Sequence, residues 1–361
     1  MNNTNELIIS IDDIKAAKLA IDGRILKTPL TYSTTLSEKF DCKVYLKLEN
    51  LQLTGAYKVR GALNRLSKLS KDERERGVIA SSAGNHAQGV ALAAKELGIH
   101  ATIVMPESTP LAKIQGTKKF GAEVILHGNF YDDAYQKALE LQREGGQVFI
   151  HPFNDKDIIA GQGTIGLEIF DELPNLDIVA VPIGGGGLIS GVSTALKSLK
   201  SDCKVIGVEA EEMPAMQTSV NKGSITTIDK KKTIADGIAV TTVLDNTFKI
   251  VQKNVDDIVT VKETEISHAM VTLLEYEKVL AEGAGATAVA ALLYQKVSDI
   301  KGKTVVLVVS GGNIDLNILD RVIERGLIGS GRTCSIIVHV PDTPGSIAHI
   351  AGLIGEKEAN I

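Results

Sequence analysis

Long apolar runs, paired cysteines and a surplus of basic charge are all missing from this sequence, and each absence removes a class of protein. No stretch is apolar for long enough to span a bilayer, and the N-terminal MNNTNELIIS lacks a basic region followed by an apolar core and a cleavage site. Neither a membrane span nor a secretory leader is expected. Cys42, Cys203 and Cys334 are widely spaced, with no C-x-x-C pair and no histidine at metal-ligand spacing beside them. They read as reduced structural thiols, and no metal is expected. The 44 acidic and 39 basic side chains are spread along the chain to a net charge of -5, which gives no electrostatic footprint for nucleic acid or an anionic membrane. A cytoplasmic protein that handles small molecules is the expectation.

The 361 residues, 44% hydrophobic and 23% charged, suffice for two domains with a sizeable core. Short apolar runs at 44–48, 77–81, 101–105, 122–126, 177–183, 204–209 and 304–310 alternate with helical periods such as Val90, Ala91, Ala94 and Leu97, or Leu188, Val192, Ala195 and Leu199. Strands apolar on both faces and separated by helices predict an α/β fold of largely parallel sheets covered on both sides. The units within 55–151 form one sheet and those within 177–310 a second, with a ligand cleft between them. Charge clusters at 71–76 and 230–232 read as solvated faces. GLIGSGR (326–332) reads as a glycine-rich connector, and TCSIIVHV (333–340) as a new strand before a turn and an apolar helix. One strand and one helix cannot enclose a core, so the expectation is a chain that stops inside a module.

Three segments carry chemistry. In VAVPIGGGGLISG (179–191) an apolar strand runs into four glycines and a helix, where converging backbone N–H groups make an anion site. No G-K-[ST] follows and no acidic residue is placed for a ribose, so a simple phosphate monoester fits best. The alternative is a tight strand-to-helix turn, which four glycines would serve at an entropic cost without a packing gain. SSAGNHAQG (81–89), again between strand and helix, offers hydroxyls, an amide, an imidazole and free backbone donors suited to a carboxylate, although an ordinary helix cap is an equal reading. VVLVVSGGN (305–313) ends a buried strand in Ser310, whose hydroxyl could reach a ring heteroatom. GAYKVRGA (55–62) puts Lys58 at a helix start, against the helix dipole. Taken alone Lys58 is a solvated lysine; with the other three segments it becomes a candidate amine for a phosphorylated aldehyde, pyridoxal phosphate.

With LKLENLQLTGAYKVRGA, SSAGNHAQG, IAGQGTIGLEI, PIGGGGLISG, ADGIAV, EGAGA and SGGN in this order, residues 11–327 resemble the fold-type II pyridoxal-phosphate enzymes of the tryptophan synthase β-like family, and within it the threonine dehydratases. The resemblance implies a large domain of 1–53 and 152–325, a small domain of 54–151, and the cofactor between them. Lys58 would be the Schiff-base lysine, and Gly184, Gly185, Gly186, Gly187 and Leu188 the phosphate loop. Asn85 would meet the ring's phenolic oxygen, with Tyr57 against the ring and Ser310 at its nitrogen. Ser82, Ala83, Gly84, Asn85 and His86 would hold the substrate carboxylate. The implied reaction is β-elimination and deamination of threonine, and of serine, to 2-oxobutanoate or pyruvate and ammonia. Where the family has Ser-Phe before the lysine, this chain has Ala56 and Tyr57. Related serine racemases carry a serine where this chain has Ala83, which favours elimination over racemisation; they also bind a divalent cation, for which Glu209 is present but Met213 and Ala215 are unsuitable. Asp342–Gly345 resembles the D-x-P-G turn that begins an ACT regulatory domain, implying an amino-acid effector; nucleotide-activated relatives are the alternative. A homodimer or homotetramer is expected. A serine dehydratase or racemase, and a non-catalytic amino-acid sensor, are the competing functions.

Overall fold

A computed structural model describes residues 9–334 and 336–360, with 317 and 318 as backbone alone. Ten strands form two sheets: β1 (Leu30–Tyr32), β2 (Lys43–Leu48), β3 (Val78–Ser81), β4 (Ala101–Met105), β5 (Glu123–Leu126), β6 (Val148–Phe149), β7 (Ile178–Pro182), β8 (Lys204–Ala210), β9 (Asp257–Val261) and β10 (Thr304–Val309). The larger sheet has the order β1-β2-β10-β7-β8-β9, parallel except for β1; the smaller is β5-β4-β3-β6, parallel throughout. The seven apolar runs all form strands, within one or two residues of the expected ends. β7 and nearly all of β8 and β10 are buried on both faces, as continuous Val/Ile/Leu runs require. β1, β6 and β9 lacked such a signal, being short or partly exposed sheet members.

Helix Lys156–Glu172 runs between the two helices that matter most to the cleft. It crosses helix Lys58–Ser67 where a Cβ on Gly161 would lie 2.6 Å from Gly61 Cα, and it meets helix Gly187–Leu199 where a Cβ on Gly191 would clash with the Ile159 carbonyl and lie 2.5 Å from Gly163 N. The glycines of IAGQGTIG therefore bring backbones together.

At the first crossing sits a buried cluster of two cations and two anions. The Arg60 guanidinium donates to both Glu49 oxygens (Nε to Oε2 and Nη2 to Oε1, 2.8 Å each) and to both Glu168 oxygens (2.6 and 2.9 Å), while Lys47 Nζ donates to Glu168 Oε2 (2.6 Å) and the Thr28 carbonyl (2.7 Å). Burial alone would raise the Glu168 carboxyl; the bonds and charges of Arg60 and Lys47 outweigh it and hold the group below its ordinary value.

Two expectations at the C-terminal end are corrected. Residues 326–329 are not a connector but the last turn of helix Leu316–Gly329, in which Gly326 permits close packing: a Cβ there would lie 2.8 Å from the Ser267 carbonyl and clash with Val271. Across 333–340 the described residues form no strand; Ser335 lies outside them, and the segment has no neighbouring strand to bond. Helix Ser346–Gly355 forms as expected, with none of its side chains buried. Cys334 is exposed, unlike the buried Cys42 and Cys203.

Arg60→Ala would leave Glu49 and Glu168 as buried anions facing Lys47 alone. It should destabilise the protein by about 3–5 kcal/mol at neutral pH, read from urea unfolding. Because the folded Glu168 carboxyl titrates below its unfolded value, its contribution is complete above about pH 5 and is lost as pH falls through the folded value, so the loss caused by the variant should shrink in acid.

Candidate active site

The segment that carries Lys58 is held by an antiparallel zipper to the end of β10. Tyr57 N donates to the Ser310 carbonyl (3.2 Å), Gly312 N donates to the Gly55 carbonyl (2.9 Å), and Ala56 bridges Gly311. Lys58 thus opens helix Lys58–Ser67 at the wall of a cleft of about 640 Å³ between the two sheets. Its Nζ donates to the Pro152 carbonyl (3.0 Å) and stands 5.2 Å from the Tyr57 ring centre. Burial drives its pKa down to about 8, against a smaller opposing pull from Glu282.

The four glycines line the same cleft. Helix Gly187–Leu199 has no side-chain cap, and its first capping bond runs from Ser190 N to the Gly186 carbonyl (2.9 Å), so the amides of Gly187, Leu188 and Ile189 remain for a ligand. The packing gain that the sequence did not reveal is here: a Cβ on Gly185 would overlap the Phe153 ring, one on Gly187 would lie 2.9 Å from Phe153 Cβ, and one on Gly184 2.8 Å from Ile238 Cα. Gly186, at φ 87°, is the left-handed residue of the turn. Anion cradle and tight turn are one structure, not alternatives.

A second uncapped helix, Asn85–Leu97, starts in the same cleft. Ser82 Oγ accepts the Gly84 amide (3.2 Å) and shapes the loop, Ala83 lines the wall without a proton to exchange, and Ser81 Oγ is buried there with no hydrogen-bond partner. Asn85 is locked at both ends: Nδ2 donates to Glu282 Oε1 (2.7 Å), and Oδ1 accepts from Asn313 Nδ2 (2.8 Å), which also donates to the Thr54 carbonyl (2.6 Å). The His86 side chain is already engaged. Its buried ring bonds the Ile150 carbonyl (2.9 Å), and burial with the Lys58 charge pushes its pKa down to about 3.

Tyr57, Lys58, residues 82–86, residues 184–188 and Ser310 therefore share one cleft. Glu282, Asn313, His151 and the ion pair of Lys113 with Asp236 (2.8 Å) were not singled out from the sequence, although EGAGA, SGGN and ADG marked the places of Glu282, Asn313 and Asp236. Glu282 is buried, and desolvation with the charge of Asp236 raises its pKa to about 7. Glu209 accepts the amides of Met216 (2.9 Å) and Gln217 (2.8 Å), so it caps helix Ala215–Lys222.

A family model described as pyridoxal-phosphate dependent enzyme matches residues 21–311. The L-threonine ammonia-lyase of Thermotoga maritima is 53% identical over 354 residues, covering 98% of this chain and 88% of that protein. Among solved structures, maize serine racemase superposes with a TM-score of 0.83 at 36% identity, over 89% of this chain and 99% of its own. The processed form of threonine deaminase isoform 2 from Solanum lycopersicum gives 0.82 at 36% identity, over 89% and 92%.

Two measurements on the cofactor-free protein follow from this geometry. Competitive labelling with acetic anhydride, mapped by mass spectrometry, should titrate Lys58 with a pKa of about 8, whereas an ordinary exposed lysine titrates at roughly 10.4. Gly185→Ala should displace the Phe153 ring or the loop at a cost of about 1–3 kcal/mol in stability, and should weaken binding of inorganic phosphate measured by calorimetry.

Proposed function

The chain belongs to the pyridoxal-phosphate dependent enzyme family, and from that premise we propose that it is an L-threonine ammonia-lyase, converting L-threonine, and L-serine, to 2-oxobutanoate or pyruvate with release of ammonia. The observation that carries this reading is one amine of lowered pKa, Lys58, facing an uncapped four-glycine cradle across a cleft. The residues present fit the cofactor: the cradle has no room for a Cβ beside Phe153, and the buried Ser81 hydroxyl awaits a partner. When bound, pyridoxal phosphate supplies an electron sink that acidifies the Cα proton of an amino acid and lets a β-substituent depart.

The amides of residues 184–188 hold the phosphate, while Asn85, Tyr57 and Ser310 orient the ring. The uncapped amides at residues 85–87 take the substrate carboxylate. Lys58, whose lowered pKa makes its neutral amine more accessible than that of an ordinary lysine, holds the cofactor and then takes the Cα proton. Ser310 is uncharged and stabilises no added proton on the ring nitrogen as a carboxylate would, which favours prompt loss of the β-hydroxyl.

The likeness to a serine racemase makes racemisation the second reading. Racemisation needs a proton-bearing group on the face opposite the lysine, and Ala83 supplies none. The division into a large domain of 1–53 with 152–325 and a small one of 54–151 belongs to the same proposal, each part holding one of the two sheets. So do a homo-oligomeric assembly and an amino-acid effector acting through the C-terminal segment; exposed Ile336, Ile337 and Ile347 are apolar surface that an assembly would cover.

Borohydride reduction of the yellow holoenzyme should fix the label on Lys58, and Lys58→Ala should abolish 2-oxobutanoate formation from L-threonine. L-Serine should yield pyruvate with little D-serine. Label on a different lysine, or D-serine as the main product, would overturn the assignment.

A further inference from the structure

His151 lines the cleft immediately before Pro152, whose carbonyl accepts the Lys58 amine. Its Nδ1 accepts two backbone amides, from Phe153 (3.2 Å) and Asn154 (2.9 Å). A ring nitrogen that accepts two N–H groups carries no proton, so the proton of the neutral imidazole sits on Nε2. Edge contacts with Phe149 and Phe153, at centroid distances of 6.5 and 4.7 Å, fix the ring plane. Burial and the charge of Lys58 push its pKa down to about 4, so the ring is neutral at physiological pH. Among the described residues Nε2 has no hydrogen-bond partner in the protein, yet it is not sealed off as a buried orphan.

The cleft therefore contains a fixed, uncharged N–H donor beside Lys58 that binding of the cofactor and of a carboxylate leaves unused. On that reading the two anionic groups are met by the uncapped helix starts at residues 85–87 and 184–188. A neutral N–H suits a neutral oxygen. Lys58 must reach Cα, and its amine donates to the carbonyl of the residue that follows His151, which points to the neighbouring substituent on Cβ as the neutral group for His151 to meet. We propose that His151 Nε2–H donates a hydrogen bond to the β-oxygen of the hydroxyamino-acid substrate, positioning that oxygen for departure and selecting substrates that carry it. The hydrogen bond moves no proton. The inference rests on the ammonia-lyase reading and names how that site recognises its substrate class.

His151→Asn tests it, because asparagine retains an acceptor in place of Nδ1 for the two loop amides but puts no donor at the position of Nε2. In the holoenzyme, kcat/KM for L-threonine should fall about tenfold, the worth of one hydrogen bond of ordinary strength. Elimination from β-chloro-L-alanine, which has no β-oxygen, should stay within about twofold on the same basis. Equal losses on both substrates, or no loss on either, would overturn the assignment. Should the variant not fold, nitrogen-15 spectra of the wild-type histidines decide. The signal assigned to His151 should show a protonated Nε2 and move on adding α-methyl-L-serine, which carries the β-oxygen but no Cα proton, and should not move with 2-aminoisobutyrate, which lacks the oxygen. A protonated Nδ1, or equal movement with both, would refute it. If the wild type releases ammonia from neither threonine nor serine, the ammonia-lyase reading fails instead.

Discussion

The guanidinium of Arg60, bonded on two edges to Glu49 and Glu168, is the interaction on which the geometry of this cleft depends. It lies two residues beyond Lys58 on the same helix, and its partners come from the end of β2 and from helix Lys156–Glu172. Four groups of balanced charge, with Lys47 as the fourth, lie almost entirely out of water. Such a cluster is a poor source of net stability, because desolvation consumes most of the Coulombic gain. What it does supply is direction, since a bidentate guanidinium accepts its partners in only a narrow range of orientations. The backbone contact between Gly61 and Gly161 adds a fixed distance to that fixed direction. Helix Lys156–Glu172 also touches the helix behind the glycine cradle at Gly163 and Gly191, so a single rigid element sets the separation of amine and cradle.

A second constraint ties the same lysine to the larger sheet. The pairing of residues 55–57 with 310–312 leaves no room for side chains where strands and helix starts converge. A Cβ on Gly311 would clash with Glu282, and one on Gly285 with the Gly311 carbonyl. The glycines of SGGN and EGAGA thus let Glu282 and Asn313 close on Asn85 from either side. Asn85 owes its orientation to residues 197 and 228 positions away, which is why its part in the site depends on the fold as a whole.

What could be read from the sequence follows from how local each feature is. Seven strands, most of them largely buried, announce themselves as apolar runs, and the uncapped strand-to-helix turns at residues 81–89 and 179–191 as glycine and small polar residues. β1 and β6 span only three and two residues and are bonded by distant neighbours, so no periodicity could reveal them. The role of Gly326 was misread because a glycine near a helix end looks the same whether it terminates the helix or allows another to approach. His86 lies in the loop expected to hold a carboxylate, but a loop position does not reveal that its ring bonds the Ile150 carbonyl. His151 gave no signal at all, because its significance rests on which of its two nitrogens the backbone occupies.

The electrostatics of the cleft unify these parts. Desolvation is the leading cause of the shifts that bring Lys58 down to about 8, Glu282 up to about 7, His86 down to about 3 and His151 down to about 4. Every one of these shifts favours the uncharged form. The cleft therefore keeps few free cations with which to hold an anion: Lys113 is already paired with Asp236, and Lys230 lies over the Phe130 ring. Its attraction for a phosphate and a carboxylate must come from the free amides of two helix starts, which cannot be titrated away and point along fixed axes. Binding by backbone dipoles leaves the amine of Lys58 available as a base, since no neighbouring cation is needed and none of the anchoring groups competes for its proton. A site that anchored the same anions with lysines or arginines would hold them as well, but would place extra cationic charge beside the one amine that has to lose and regain a proton.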